Sequence, residues 1–461
     1  AFGLTCLAKV STPFGSVEDI RYGENGDTGH LLPGGGTRTA IPRVTSHTVN
    51  PGAGQPAVKT TYTYTILQGG IQAPNNFVGN GSGVSWRDDG EDNLYRARST
   101  YLYGSTAHQW GKGEDGNDQV LRTTQRTYNR FHLQVSEVVL QGNNQLVSST
   151  TYHGDVATEF DNQPSNFQLP LEQAHSWSLL GDATRVRYEP PTRTEYDLHG
   201  NMTAQIMPSG QRTVTEYYSA QGEEGCPPDP DGFVRNQKCL TEYPAAGGDQ
   251  PAPVLRKRFE YEALARVSYP DASAKPLASN WLVPTQESLC EVVGEVEQAL
   301  QVTTMKPIDE PGDLLRHGRP LLQTLLMGGK TTQTGFSYNK EALDGHPVLV
   351  TEQQVTGFDH GELYAETGQP RHVCKVITLK DSMLIGQPLL NRDDNDVEIE
   401  YEYDALRRVV RETVSPNEAA YTASRVYEYG LVSAPGGKAL QSRVDVKGVA
   451  IRSYIDGLGR V

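Results

Sequence analysis

Over much of the chain apolar and polar residues alternate with a period of two. Residues 60–66 carry Tyr62, Tyr64 and Ile66 with Thr61, Thr63 and Thr65 between them. Residues 397–404 read V-E-I-E-Y-E-Y-D, placing Val397, Ile399, Tyr401 and Tyr403 on one side of a ribbon and three glutamates on the other. Successive side chains of a strand point to opposite faces, so this spacing predicts strands half buried in a sheet, with one face wet or charged. Turn signals recur roughly every 10 to 20 residues, at Pro33-Gly34-Gly35-Gly36, Gly69-Gly70, Asp89-Gly90, Gly142-Asn143-Asn144, Pro208-Ser209-Gly210, Gly247-Gly248, Gly328-Gly329 and Pro435-Gly436-Gly437. Short strands at that spacing predict hairpins. Helical periods are scarce. Residues 287–301, with Leu289, Val292, Val293, Val296 and Leu300, fit a helix, but their β-branched content fits a strand equally well. The expected class is all-β: repetitive antiparallel hairpins forming an extended, curved sheet.

A local phrase returns along this pattern. Residues 259–267 read F-E-Y-E-A-L-A-R-V, residues 401–409 read Y-E-Y-D-A-L-R-R-V, and residues 453–461 read S-Y-I-D-G-L-G-R-V. In Tyr196-Asp197-Leu198-His199-Gly200 the aspartate takes the first position of a β-turn and the glycine the fourth. There the carboxylate accepts N–H groups across the turn, and glycine supplies the positive φ that returns the chain. Gly210 marks the next turn. The repeat positions in the other copies are Tyr261 and Leu264; Tyr403, Asp404 and Leu406; and Asp456, Gly459 and Arg460. Arg407 stands where glycine is expected in one copy, and Glu262 and Ala265 replace both turn residues in another. The tyrosine before the turn is expected to lie on the sheet, stacked on the ring of the next unit, with its hydroxyl in water. A strand-and-turn unit cannot bury its own apolar face, so the copies must lie side by side.

Composition fits a thin-walled body. Of 461 residues only 36% are hydrophobic, while Gly numbers 47, Pro 28 and Tyr 23, which leaves little material for a thick core. The formal net charge of −15 opposes binding to nucleic acid or an anionic membrane. The basic run Arg256-Lys257-Arg258 is expected on a solvated strand edge. No apolar run is long enough to span a bilayer, so membrane insertion by this segment is not expected. The five cysteines, Cys6, Cys226, Cys239, Cys290 and Cys374, show no metal-ligand spacing. Free buried thiols are expected, with a Cys226–Cys239 bridge as the alternative in an oxidising compartment. No cofactor or metal is implied.

Motif-like stretches have plainer readings. Gly328-Gly329-Lys330-Thr331-Thr332 ends like a phosphate loop, but Thr324 stands where its first glycine belongs, which favours a hairpin turn. Residues 393–398 place oxygens as a calcium loop does without its central glycine, so a polar turn is expected, with a calcium site as the alternative. Asp88 and Glu91 have no nucleophile or base beside them and are expected in a solvated loop. No residue is nominated as catalytic, and an enzymatic role is not expected.

The Y-D-x-x-G-[RN] unit resembles the YD repeat of RHS-repeat proteins. G-C-P-P-D-P-D-G-F-V-R at 225–235 and L-L-N-R-D-D-N-D-V at 389–397 look like the middle region of a B-type component of bacterial Tc toxins. The resemblance covers residues 191–461, read as a repeat wall continuing beyond the chain end, and leaves 1–190 as an irregular β-rich region before it. It implies a hollow shell enclosing a toxic C-terminal domain, built with a C-type component and docking on a pore-forming A-type component. It also implies a secreted virulence protein assembled in the bacterial cytoplasm before export. Asp229-Pro230-Asp231-Gly232 is similar to the family's self-cleavage signature but lies mid-chain, so a turn is expected. The chain lacks an initiator Met and a signal-peptide layout and stops inside a repeat at Val461, which reads as a piece of a larger polypeptide. The other reading is an RHS-type surface or interbacterial-competition protein whose tyrosine-rich face contacts glycan or a cell-surface partner.

Overall fold

The computed structural model describes residues 4–23, 29–32, 34–68, 71–74, 84–247, 252–267, 280–357, 362–363, 370–371, 374–431 and 438–461. Among them the regular structure is β, with two short 3-10 turns, Asn93–Arg96 and Phe160–Asn162, and no α-helix. The all-β expectation holds. Among the described residues every pairing between strands is antiparallel, most join consecutive strands, and one isolated bridge, Gly34 to Ser85, is parallel. Of the expected turns, Pro33, Gly69-Gly70, Gly248 and Pro435-Gly436-Gly437 lie outside the described residues.

The contacts divide the chain into two compact units. The first comprises 1–210, 429–441 and 453–461, the second 211–428 and 442–452. Pro190-Pro191, at the change in sequence texture, falls inside the first. In that unit Val17–Tyr22, Val44–Asn50, Val58–Gln68, Leu102–Lys112, Asp118–Tyr128, Gln134–Gln141, Asn144–Tyr152 and Pro170–Leu179 are joined in a run of antiparallel pairings. Its densest packing lies at the loops. Tyr95 stacks at a tilt on Phe160, 4.7 Å between ring centroids, and Phe131 meets Phe167 edge-on at 5.5 Å. The buried Arg130 guanidinium lies 4.8 Å above Phe131 and donates to the carbonyls of Ala97 and Thr158, tying three loops together.

In the second unit Gln237–Tyr243, Val254–Ala265, Asn280–Val293, Val296–Pro307, Pro320–Met327, Lys330–Leu343, His346–Thr356 and Cys374–Ser382 run on in the same manner. Residues 287–301 are a hairpin, with Val293 opposite Val296 and Glu291 opposite Gln298. β-branching and the Gly294 turn at φ 63° decide against the helix. Gly328-Gly329 is likewise a two-residue hairpin turn, with φ of 56° and 74°, joining Met327 to Lys330.

Three expectations need correction. Arg256-Lys257-Arg258 lies on Val254–Ala265, which is paired on both sides, so it is not an edge. The glutamates of 397–404 do not form a simply wet face. Glu400 shares a row with Leu390, Lys380 and Val350, of which Leu390 and Val350 are buried. Desolvation, then Asp344, Glu398 and Glu402, push its carboxyl above the usual range. The cysteines are all free, as expected, but only Cys226, Cys239 and Cys290 are buried; Cys374 is exposed and Cys6 half-buried.

Candidate functional site

The repeated turn is the feature that sequence and structure share most closely. At 197–201 the N–H of Asp197 donates to the Asn201 carbonyl (2.9 Å), and the N–H of Gly200 donates to the Asp197 carbonyl (3.2 Å). One carboxylate oxygen of Asp197 accepts the N–H groups of His199 and Asn201, both at 2.9 Å, while the other accepts the Asn201 amide. Gly200 takes φ 85°. The corner therefore satisfies its own polar groups and needs no core behind it.

The same five-residue geometry recurs at 404–408 and 456–460. Oδ1 of Asp404 accepts from the N–H groups of Leu406 and Arg408, and Oδ1 of Asp456 from those of Leu458 and Arg460. The fifth residue is now arginine, whose Nε donates to Oδ2 of the aspartate at 2.7 Å in both copies. Arginine and asparagine thus do one task, donating to the outer carboxylate oxygen. Gly459 adopts φ 78°; Arg407 adopts φ 62° in the glycine position, so the turn survives that replacement.

The copy at 259–267 is a false match. Tyr261, Leu264 and Ala265 lie inside Val254–Ala265, which shifts register between Glu260 and Tyr261 but stays paired with Asn280–Val293 as far as Ala265, so no turn forms. Glutamate has one methylene too many to close onto the N–H two residues on, and Glu262 stays in the ladder. Leu264 is instead a buried packing residue near Gly318. Gly210 has the expected positive φ, 88°, but closes a turn onto the Met207 carbonyl with no carboxylate.

Further copies escaped the sequence reading as members of this set. Residues 445–449 are one, with Asp445 capping Lys447 and Val449 and Gly448 at φ 79°. Residues 393–397 are another, with Asp396 at φ 60°, so the calcium-like stretch is the expected polar turn. At 129–133 Asn129 plays the aspartate and His132 the glycine, at φ 62°. Asp229 uses the same carboxylate grip on the N–H groups of Asp231 and Phe233, with Gly232 at φ 77° and Arg235 on Oδ2. The available signal was Asp or Asn three residues before a residue that tolerates positive φ.

The hydrogen bonds also set the charge state. Burial works to raise the Asp197, Asp229 and Asp456 carboxyls, yet the donors aimed at them hold all three below the usual range. Asp404 is held low by the N–H and side chain of Arg408. The tyrosines behave differently from expectation. The Tyr403 hydroxyl donates to the Pro388 carbonyl at 2.7 Å, as Tyr152 does to Gln134 and Tyr218 to Phe259. Tyr196 meets His153 edge-on rather than a neighbouring repeat ring. Each brace sits beside a bulge, as between Glu402 and Tyr403, where the widened ladder lets a ring reach across.

A second charged device lies on the paired strands. Glu297 receives Arg256 Nη1 at 2.5 Å and Arg258 through Nε and Nη2 at 2.7 and 2.6 Å, and its carboxyl is driven down to about 2, first by the Arg258 hydrogen bonds. Among the described residues no group of three or more His, Cys, Asp or Glu is placed to hold a metal ion.

No family model and no curated protein matches the chain. Solved structures similar to it include a TcdB2-TccC3-Cdc42 crystal structure, with a TM-score of 0.30 at 11% identity over 98% of this chain and 23% of that one. TcdB2-TccC3 without its hypervariable C-terminal region gives 0.25 at 12% identity, over 95% of this chain and 22% of that one. A Photorhabdus luminescens Tc holotoxin pore carrying a TccC3 substitution gives 0.18 at 12% identity, over 97% and 22%. The chain therefore spans less than a quarter of each of those chains.

Proposed function

We propose that the chain is a non-enzymatic structural segment of a bacterial RHS or Tc-type toxin, a stretch of β-wall that helps to enclose a toxic C-terminal domain until delivery. The recurring self-satisfied turn carries this reading. A wall one sheet thick has water on both sides and cannot rely on a deep core to hold its corners, so each corner must satisfy its own donors and acceptors. At the Asp and Asn turns the side-chain oxygen and the positive-φ fourth residue do so locally, and tyrosine hydroxyls brace neighbouring strands. The partners in this reading are the remainder of the polypeptide, the C-type and A-type components and the enclosed domain. The particle is assembled in the bacterial cytoplasm and then secreted.

Electron microscopy of negatively stained full-length protein, purified with its C-type component, tests this. A particle with an internal cavity is expected, and a solid globule would overturn the proposal.

A further inference from the structure

Where the strands Val58–Gln68 and Leu102–Lys112 part, the first unit has a cleft of about 850 Å³. The last pair between them is Lys59 opposite Trp110. Beyond it Val58 and Gly111 no longer pair with each other, and both line the cleft. Its size falls within the range of small-molecule sites.

Much of the lining is apolar. Trp110 donates its Nε1 to the Thr61 hydroxyl at 2.9 Å, so its one polar atom is used and only the carbon of the indole is left for a ligand. Leu121 is the residue that the bulge beside Trp110 leaves without a partner, since Gln109 faces Arg122 and Trp110 faces Val120. Its Cδ1 lies against Gly111, where any Cβ would collide with it, so the glycine makes room for this wall.

The charged groups say what an apolar body bound here carries. Lys112 and Asp118 are cross-strand partners and pair with each other at 2.8 Å, which leaves them no net charge to offer. Lys59 makes no hydrogen bond or ion pair among the described residues. Asp19 shares its row but lies two strands away, beyond Thr48. The cleft therefore keeps one uncompensated ammonium, on a chain whose net charge is −15. At Lys59, Thr61 and Trp110 the ladder is filled on both sides, so an extended peptide would find no main-chain partners there.

We propose that this cleft binds a small amphipathic monoanion, a carboxylate-bearing molecule with an aromatic or aliphatic body. The body lies against Trp110 and Leu121, and the carboxylate meets Lys59. The site stands independently of the shell reading.

Calorimetric titration of the whole chain with phenylbutyrate tests this, with phenylbutanol and phenylbutylamine as probes that share its body and differ in the head. Phenylbutyrate should bind about fivefold more tightly than the alcohol, and the amine most weakly. Lys59→Gln should bring the carboxylate to the level of the alcohol and leave the alcohol itself unchanged. Leu121→Ala should weaken all three probes by a common factor. An unchanged melting temperature would show both variants folded. No binding of phenylbutyrate at millimolar concentration would overturn the proposal, as would equal binding of the three heads or a preference that survives Lys59→Gln. So would affinities that ignore Leu121→Ala, or a neutral hexose that binds more tightly than the carboxylate.

Discussion

The turns at 197–201 and 456–460 share one backbone and one carboxylate grip, yet they do different things. The first keeps its second side chain out of the packing, Leu198 being 83% exposed, though the Leu198 carbonyl accepts from the Ser165 hydroxyl at 3.0 Å. The second is pressed into the first unit. Asp456 is buried, the Gly457 N–H donates to the Pro51 carbonyl at 2.6 Å, and a Cβ on Gly457 would sit 2.2 Å from Ser16, itself buried. The module is the same and only the second residue decides its role. A leucine there keeps its side chain in solvent; a glycine there, needed for space rather than for φ, makes a latch.

Acid should act on both turns at once and gives the largest expected effect. Carboxyls held low in the fold contribute stability that is fully present above the unfolded carboxylate range, about 4, and lost as pH falls through their folded values. The aspartate turns and Glu297, down to about 2, share this sign. The melting temperature should therefore fall between about pH 5 and pH 2. Glu400 and Asp381, both raised chiefly by burial, act oppositely and gain as they protonate. Glu297→Gln should flatten the low end of the acid profile, and an unchanged profile would show that the Arg256 and Arg258 contacts contribute nothing.

Gly457→Leu, which gives the latch the second residue of the first turn, should cost about 1–3 kcal/mol by overpacking and release 453–461 to proteolysis. Leu198→Gly should cost much less. Equal effects would mean that the docking at Ser16 adds nothing. Asp197→Ala should cost about 1.5 kcal/mol, the low end for hydrogen bonds to a charged group at a half-buried site, with faster exchange at the His199 and Asn201 amides. At Asp456 the same change should speed exchange at Leu458 and Arg460 and also loosen the latch. The smallest effect is expected at Arg407→Gly, a gain of about 0.5–1 kcal/mol from relieving a positive φ, with Gly200→Ala losing a similar amount. Thermal melts of the pair measure both.

The turn was legible because its chemistry is local. Asp197, Asp404 and Asp456 reach N–H groups two and four residues away, so a five-residue window contains the whole device. The Glu262 copy misled for the same reason, since a window matched by letters hides the one methylene that keeps glutamate from closing. The Asn129 turn went unseen because asparagine and His132 carry out the geometry with other letters. What remained hidden depends on distant pairing. Arg256 and Arg258 meet Glu297 only after Asn280–Val293 has brought Val296–Pro307 alongside, and the tyrosine hydroxyls find carbonyls only where a bulge opens the ladder. Gly457 looks like any turn glycine until Ser16 is placed against it.

That contact has a kinetic meaning. Ser16 and Pro51 leave the ribosome early, whereas Gly457 follows roughly 20 to 90 s later at ordinary elongation rates. Until then Ser16 and Pro51 lack this contact, and the first unit cannot finish folding while the second is being made. A nascent chain held in this state depends on chaperones, and slow synthesis lengthens the wait.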